Sequence, residues 1–319
     1  MRIYHHIDHF NKLQNAIVTI GTFDGVHFGH RKIISRLQEV ARQTGGETVI
    51  LTFFPHPRMI LHPEDVNIKL ITTMNEKAEL LEQLGIDHLI ITPFTRDFSN
   101  LSPQQYIKNI LVDRIGTKNI VTGYDHRFGK DREGGLESLQ KYGATYNYGV
   151  EEIPEQDIHD VAVSSTKIRN SILSGDVSIA QDFLGYPFHL SGIVIKGDQI
   201  GRKIGFPTAN LFIEETYKLI PADGIYAVTI ELQDVGSSSL KQESKLKGMA
   251  YIGNRPTING MSRNIEVNIF DFSEDLYKKT IRINFHNFIR NDEKFKSLTE
   301  LKAQLKKDEE SARLLLLSA

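Results

Sequence analysis

The first half of the chain alternates short, continuously apolar runs with longer segments whose apolar residues recur every three or four positions. Such runs are typical of parallel strands that are covered on both faces, and the periodic segments predict amphipathic helices that stop at Gly45, Gly85 and Gly116. The alternation predicts an α/β domain in which a parallel sheet carries helices on its faces. The predicted strands are residues 16–20, 48–54, 88–92 and 119–122.

From about Pro187 the pattern changes to short strand-like segments separated by Gly, Asp, Asn and Pro, which predicts an antiparallel barrel or sandwich. A final helix begins at Ser297, and Glu300 three residues later completes a capping-box signature. We therefore predict an α/β plus β protein with two domains, residues 1–185 and 186–319. The predicted strands of the second domain are residues 191–196, 224–232, 247–252, 264–272 and 279–285, and residues 233–245 predict a polar hairpin loop.

Composition and charge narrow the classes of protein that remain. The 319 residues include no cysteine, which excludes disulfides, thiolate metal sites and cysteine nucleophiles. The formal net charge of -2 argues against binding of nucleic acid through a broad basic face. No run approaches the length of a membrane span or a signal peptide. We expect a soluble, cytoplasmic protein with neither nucleic acid nor membrane as a partner.

The segment GTFDGVHFGH, residues 21–30, follows the first long strand and leads into a helix. Gly21 and Gly25 allow the backbone to turn sharply close to a ligand, and the helix start offers unsatisfied N–H groups to an anion. His27 and His30 can face one pocket, where imidazolium groups would hold phosphate oxygens as negative charge develops. A metal pair or two surface histidines are the alternatives, although no third ligand is spaced with them.

A second anion site is predicted where the segment SSTKIR starts a helix. Ser164, Thr166 and Arg169 offer hydroxyls and a guanidinium fork that would suit the leaving pyrophosphate of ATP. The alternative is that the hydroxyl residues only cap the helix.

Two segments between these sites offer surface to a planar ring. FFPHP, residues 53–57, supplies aromatic and proline groups, and GYDHRFG, residues 123–129, supplies Asp125 and Phe128. Asp125 either accepts a hydrogen bond from an adenine or flavin edge or pairs with Arg127.

The barrel half carries a different phosphate-handling segment, GRKIGFPTAN, residues 201–210. It is not a Walker A loop, because it lacks the terminal Lys-Ser/Thr. Thr208 and Asn210 are two apart on an extended segment and point the same way, so their oxygens suit a magnesium ion. Glu266, on a later strand, is a candidate base for a substrate hydroxyl. Polar strand surface is the alternative for all three. The candidate ATP-phosphate residues are Gly201, Arg202, Lys203 and Gly205.

The first half resembles bacterial FAD synthetases in its GTFDGVHFGH, PHP, GYDHRFG and SSTKIR segments, which occur in that family's order. The resemblance implies a Rossmann-like nucleotidyltransferase domain that joins FMN to the α-phosphate of ATP. It places Gly21, Asp24, His27 and His30 at the ATP phosphates, together with Ser164, Thr166 and Arg169. His126 stands where the family usually has Phe. The flavin side would be Pro55, Pro57, Tyr106, Asp125 and Phe128.

The second half resembles riboflavin kinases through GRKIGFPTAN, PADGIYA, GMAYIGNRPT, FDFSEDLYKK and IRNDEKFKS. The resemblance implies that riboflavin is phosphorylated by ATP with Mg²⁺, with Glu266 as base, Thr208 and Asn210 at the metal, and Arg290 and Asp292 at the flavin. Three residues depart from the family's usual pattern: Asn268 for His, Lys278 for Gly and Asp292 for Glu.

Taken together, the two resemblances predict a bifunctional enzyme that converts riboflavin to FMN and FMN to FAD. One alternative keeps the adenylyltransferase and makes the barrel a module that only binds flavin. Another is an RNA-linked protein, since similar histidine loops occur in aminoacyl-tRNA synthetases, but the chain lacks a KMSKS-like loop.

Overall fold

The protein was analysed as a computed structural model, which describes residues 1–65, 68–154, 163–197, 200–233, 246–253 and 263–317. Its contacts divide the chain into two compact units, Met1–Ser165 and Thr166–Ala319. Almost all of the predicted hairpin loop, residues 234–245, lies outside the described residues.

The first unit is built on a six-stranded parallel sheet in the order β1-β4-β3-β2-β5-β6. The four predicted strands are confirmed. The two additional strands lie at the edges of the sheet, where β1 is only three residues long and β6 contains two glutamates, so neither produces an apolar run. The strands are β1 (Arg2–Tyr4), β2 (Ala16–Ile20), β3 (Glu47–Phe53), β4 (His88–Thr92), β5 (Thr117–Gly123) and β6 (Gly149–Ile153).

Helices cover both faces of this sheet because alternate residues of β2 point to opposite sides. Ile17 joins a core with Ile34 and Leu37, whereas Val18 joins a second core with Leu111 and Leu139. The helices of this unit are α1 (Phe28–Thr44), α2 (Pro57–Leu61), α3 (Met74–Gln83), α4 (Arg96–Ser99), α5 (Pro103–Gln105), which continues as a π-helix (Tyr106–Ile115), and α6 (Leu136–Tyr146).

The strand order creates a crevice at the centre of the sheet. From β2 the chain builds outward through β3 and β4, and then returns to place β5 on the other side of β2. Connections therefore leave β2 and β5 in opposite directions, which opens a crevice beyond their carboxyl ends.

The second unit is a closed antiparallel barrel in the order β10-β11-β8-β7-β12-β9. Its interior is filled by apolar side chains such as Leu190, Val228, Val267 and Ile283, all of which are buried. The predicted barrel alternative, rather than the sandwich, is confirmed. The strands are β7 (Phe188–Ile195), β8 (Ala209–Phe212), β9 (Gly224–Gln233), β10 (Leu246–Gly253), β11 (Asn264–Ile269) and β12 (Thr280–Arg290).

The predicted C-terminal helix packs on the outside of this barrel. Its Ala312 and the following Leu316 are buried against Ala227, Met249 and Phe270. Ser297 caps it by accepting the N–H of Glu300, but the predicted capping box is only half formed, because the Glu300 carboxylate accepts the N–H of Lys296. The helices of this unit are α7 (Ser165–Ser174), α8 (Val177–Leu184), which packs on β12, α9 (Ile200–Ile204) and α10 (Leu298–Leu315).

Two glycines that end helices give a matched test of backbone packing. Gly45 and Gly116 are both left-handed, at φ 64° and 82°, but a Cβ on Gly45 would meet nothing within 4 Å, whereas one on Gly116 would lie 1.9 Å from the carbonyl oxygen of Leu13. Both Ala substitutions carry the left-handed penalty of about 1–2 kcal/mol. We expect Gly116→Ala to lower the free energy of unfolding by a further ~1–3 kcal/mol, measured by urea unfolding. Equal losses for the two variants would contradict this packing.

Candidate functional sites

The first unit contains a cleft of about 890 Å³ at the crevice predicted from its strand order. Ile20, Phe53 and Gly123, from the ends of three neighbouring strands, lie in its wall. Of the residues predicted from the sequence, the cleft brings together Gly21, His30, Pro57, Tyr106, Asp125 and Phe128.

His27 and His30 stack on each other at the start of α1, with ring centroids 3.7 Å apart. His30 lines the cleft, and its Nδ1 is shielded from solvent and has no hydrogen-bond partner within the described residues. Burial lowers the pKa of His30 well below its usual value, and the nearby His27 and Lys77 lower it further. These shifts favour a neutral ring over the predicted imidazolium in this structure, and the role of His30 at the phosphates stays a prediction.

The loop that carries these histidines follows an unusual backbone path. Phe23 and Val26 have φ of 46° and 38°, and Gly25 has φ of 83°. Left-handed conformations cost free energy in residues with a Cβ, and they persist only where surrounding contacts enforce them.

Asp24, a residue of this loop, supplies such contacts with its buried side chain. Its side chain is 1% exposed, and Oδ1 accepts the N–H groups of Ile71 and Thr72 at 2.9 and 3.2 Å. In return Thr72 Oγ1 accepts the N–H of Gly25 at 3.1 Å, and Ser165 Oγ donates to the carbonyl oxygen of Asp24 at 3.1 Å. The structure thus gives Asp24 a role in fixing the loop, outside the wall of the cleft.

The other predicted residues of this half are placed as follows. Pro55 follows a cis peptide bond and lies outside the cleft wall. Ser164 precedes α7 and is exposed. Thr166 is exposed and Arg169 is half-buried, and both lie on α7 within the second compact unit, although the sequence pattern predicted them for the first half.

Tyr106 and His126 bring hydrogen-bonding groups into the apolar part of the cleft. The hydroxyl of Tyr106 and Nε2 of His126 are both buried without a partner in the part of the chain that the structure describes. Burial raises the pKa of Tyr106 and lowers that of His126 to about 4, so both groups are neutral at pH 7. His126 stacks on Phe128, with centroids 5.6 Å apart.

Sequence reasoning missed a set of basic and aromatic residues in the same cleft. Arg96 and Phe94 follow directly after β4, so the rule that ligands bind beyond strand ends was the signal that would have found them. Arg58 follows the end of β3 and the PHP tripeptide. Together with Phe98, Arg127 and Arg132 they give the cleft aromatic surface and positive charge.

In the second unit Glu266 lies at the centre of a polar cluster on the outer face of the barrel. Thr208 Oγ1 donates to Oε2 at 2.9 Å, and Asn264 Nδ2 donates to Oε1 at 2.6 Å. Asn210 is the direct cross-strand partner of Glu266. The predicted grouping of Thr208, Asn210 and Glu266 therefore has a physical basis in the pairing of β8 with β11.

This cluster borders a cavity of about 490 Å³ that also contains Gly201, Arg290 and Asp292. The GRKIG segment forms the short helix α9, which the sequence pattern did not predict. Gly205 ends it at φ 92°, while Arg202 and Lys203 are exposed. Arg202 borders a neighbouring cavity of about 500 Å³ together with Thr208.

The two predicted flavin-side residues make contacts that the sequence did not show. Arg290 forms a two-point ion pair with Asp308 of α10, at 2.9 and 2.7 Å, and Asp308 is 1% exposed. Asp292 accepts the hydroxyl of Tyr251 at 3.0 Å. Asp308 is a residue that sequence reasoning missed, because it lies on a largely charged helix and nothing marks it as buried. The pair docks α10, whose Leu298, Leu301 and Leu305 line the cavity.

Two departures from the family pattern also have a structural setting. Asn268 Nδ2 donates to the carbonyl oxygen of Pro207 at 2.7 Å and so holds the backbone next to Thr208. Lys278 has φ of 64°, a left-handed conformation in which glycine carries no steric penalty.

The oxygen-rich cluster around Glu266 fits a divalent cation. Hydroxyl, amide and carboxylate oxygens are the ligands that magnesium prefers, and it takes few of them from protein. Within the described residues no group of three or more His, Cys, Asp or Glu side chains is placed to hold a metal.

Comparison with known proteins gives consistent matches for both units. A family model described as FAD synthetase matches residues 9–167, and one described as riboflavin kinase matches residues 184–316. Within the described residues, none of the helices has the length and apolar character that a membrane span requires.

Several relatives match nearly the whole chain, and each is named bifunctional riboflavin kinase/FMN adenylyltransferase. The protein of Listeria monocytogenes is 39% identical, over 94% of this chain and 92% of its own. The proteins of Escherichia coli K12 (37% identical, 94% and 92%) and Bacillus subtilis (35%, 96% and 95%) are similar. A crystal structure described as a macrolide-efflux protein from Streptococcus pneumoniae is 32% identical, with a TM-score of 0.85 over 98% of each chain.

The buried ion pair beneath the barrel cavity predicts a specific loss of stability. Asp308→Ala leaves the Arg290 guanidinium without its carboxylate, so we expect the free energy of unfolding to fall by about 3–5 kcal/mol. The matched control is Glu309→Ala, which breaks a more exposed pair with Arg313 on the same helix and should cost about 0–1 kcal/mol. Urea unfolding of both variants measures the difference; similar losses would show that Asp308 does not anchor α10.

Proposed function

Because the chain belongs to the family of bifunctional riboflavin kinases/FMN adenylyltransferases, we propose that it phosphorylates riboflavin to FMN and then adenylylates FMN to FAD. The observation that carries the proposal is that each family match coincides with a separate unit containing its own polar, ligand-sized cavity. Riboflavin, FMN, FAD and ATP are the ligands, and the cytoplasm, where ATP is available, is the proposed location.

Adenylyl transfer is proposed for the cleft of the first unit. A phosphate oxygen of FMN attacks the α-phosphorus of ATP, a new P–O bond forms, and the bond to the bridging oxygen breaks to release pyrophosphate. The start of α1 offers N–H groups to the phosphates, and neutral His30 donates a hydrogen bond without carrying charge into the site. Ser164, Thr166 and Arg169 remain predicted contacts of the pyrophosphate, and Gly21 allows close approach.

The same cleft suits a flavin. Phe128 and Tyr106, whose centroids are 5.0 Å apart, provide aromatic surface for the ring system, and the unpartnered hydroxyl of Tyr106 and Nε2 of His126 can satisfy polar atoms at its edge. Arg58, Arg96 and Arg127 line the cleft and favour the phosphate of FMN. Pro55, Pro57 and Asp125 remain predicted flavin-side residues.

Riboflavin phosphorylation is proposed for the barrel. Glu266 accepts the proton of the ribityl 5′-hydroxyl as its oxygen attacks the γ-phosphorus of ATP, and ADP leaves. The two hydrogen bonds from Thr208 and Asn264 hold the carboxylate in one orientation. Arg202 and Lys203 are proposed to meet the phosphates, and Arg290 and Asp292 to border the flavin.

Enzymes of this family use a divalent metal ion with ATP, and we propose Mg²⁺. Thr208 and Asn210 would hold it in the barrel, where the bound cation would neutralise phosphate charge. The residues themselves position the phosphates and the substrate hydroxyl.

Glu266→Gln separates this proposal from the alternative in which the barrel only binds flavin. General-base removal is expected to slow FMN formation from riboflavin by about 100-fold to 10,000-fold, while FAD formation from supplied FMN continues at the wild-type rate. The assay incubates the purified chain with ATP, Mg²⁺ and either flavin and separates the products by HPLC. Glu214→Gln, an exposed carboxylate just beyond β8, is the matched control. Undiminished phosphorylation in Glu266→Gln would contradict the role of Glu266 as base, whereas absence of phosphorylation in the wild-type chain would support the flavin-binding module.

His30→Ala should have the opposite selectivity. Loss of one donor to the phosphates is expected to slow FAD formation by about 100-fold and to leave FMN formation intact, by the same HPLC separation. His5→Ala removes an exposed imidazole from the same unit and should change neither rate. If His30→Ala stopped both reactions, the two sites would not be independent.

A further inference from the structure

Lys77 is a buried lysine that the proposed reaction has not used. It is the fourth residue of α3 and is 2% exposed, and its Nζ lies 3.7 Å from Sδ of Met74, a weak acceptor. A cation near a helix N-terminus is also unfavourable with the helix dipole. Both features make the ammonium group costly at this position, since a buried charge destabilises the fold unless it is well paired.

The ionisable groups around Lys77 lie on α3 itself, on α1 and on the loop of residues 21–27 between β2 and α1, here called the nucleotide loop. The Asp24 carboxylate attracts the ammonium group, whereas Lys77 and His27 both act on His30 to lower its pKa. The adjacent carboxylate on α3, Glu76, accepts the N–H of Thr73 at 2.8 Å in a capping box. The charge of Lys77 therefore interacts with the carboxylate that fixes the loop and with the histidine that lines the cleft.

We propose that Lys77 is a positioning residue for adenylyl transfer, whose ammonium group holds the Asp24 carboxylate under the nucleotide loop and adds buried positive charge beside the triphosphate site. Asp24 binds Ile71 and Thr72, and Thr72 binds Gly25 in return. Through these contacts the position of the Asp24 carboxylate fixes the left-handed backbone that precedes His27. The inference rests on the proposed FMN adenylylation.

The proposed role of Lys77 predicts a pH dependence of FAD formation that FMN formation does not share. Burial lowers the pKa of Lys77 to about 8, partly opposed by Asp24, so the ammonium form predominates at pH 7 and is lost as the pH rises through 8. FAD formation should therefore fall on the alkaline side. Bound ATP places negative charge near Lys77 and favours the ammonium form, so the fall in kcat should come at higher pH than the fall in kcat/KM for ATP.

The experiment measures FAD formation from FMN, and FMN formation from riboflavin, between pH 6.5 and 9.5 on the full chain at saturating and limiting ATP. Lys77→Met should make FAD formation about tenfold or more slower at pH 7 and remove its alkaline fall near pH 8. Lys77→Arg keeps its charge throughout this range and should remove the fall while retaining more activity than Lys77→Met. Lys108→Met, which removes an exposed lysine charge from the same unit, should behave as wild type.

The riboflavin kinase reaction of each sample reports whether the variant is folded and active. An alkaline fall near pH 8 that persists in Lys77→Met would overturn the role of Lys77, as would an unchanged rate at pH 7. If Lys77 had a purely structural role, FAD formation would be equally fast with Lys77 charged or neutral, and equally fast in Lys77→Met and Lys77→Arg. The pH profiles of kcat and kcat/KM would then coincide. Absence of FAD formation in the wild-type chain at every pH would instead overturn the proposed adenylyl transfer itself.

Discussion

The loop between β2 and α1 must turn through left-handed backbone at Phe23, Gly25 and Val26 to bring its histidines to the end of the sheet. That path is maintained by one buried carboxylate, Asp24, which binds two backbone N–H groups of the segment before α3. The loop itself contributes a hydrogen bond from the N–H of Val26 to the carbonyl oxygen of Phe23, at 3.2 Å. The Asp24 contacts help to offset the left-handed penalty of Phe23 and Val26, which carry a Cβ. The stacking of His27 on His30, and the position of His30 in the cleft, both follow from this backbone path.

In the barrel, the polar residues of the candidate site are brought together by strand pairing and not by a loop. The barrel interior is apolar and closed, so polar chemistry has to sit on the outer face, where β8 and β11 pair. Cross-strand pairing brings Asn210 and Glu266 together without any loop, and Thr208 joins them from just before β8. The C-terminal helix then covers part of this face and turns an open surface into a cavity, with the Arg290–Asp308 pair as its anchor.

In both units, charged side chains are buried in the elements that surround a candidate site, although burial of a charge costs free energy unless the charge is paired. Asp24 and Lys77 in one unit, and Arg290 and Asp308 in the other, are all shielded from water to a large degree. Such groups hold backbone and side chains in defined positions because their partners cannot be exchanged for solvent. Rigid positioning is what phosphoryl and adenylyl transfer require, since the chemistry depends on alignment and on preorganised charge.

The local pattern of the chain was sufficient for its long strands and helices, the change from α/β to β architecture and the family resemblance, because periodicity and motif order are properties of neighbouring residues. Strand alternation also predicted that Thr208 and Asn210 share a face, but only the pairing of β8 with β11 brought Glu266 to them. The edge strands Arg2–Tyr4 and Gly149–Ile153, and the burial of Asp24, Lys77 and Asp308, were decided only by the tertiary structure. Whether a charged side chain is exposed or buried, and so whether His30 is charged or neutral, depends on residues distant in sequence that shield it from water.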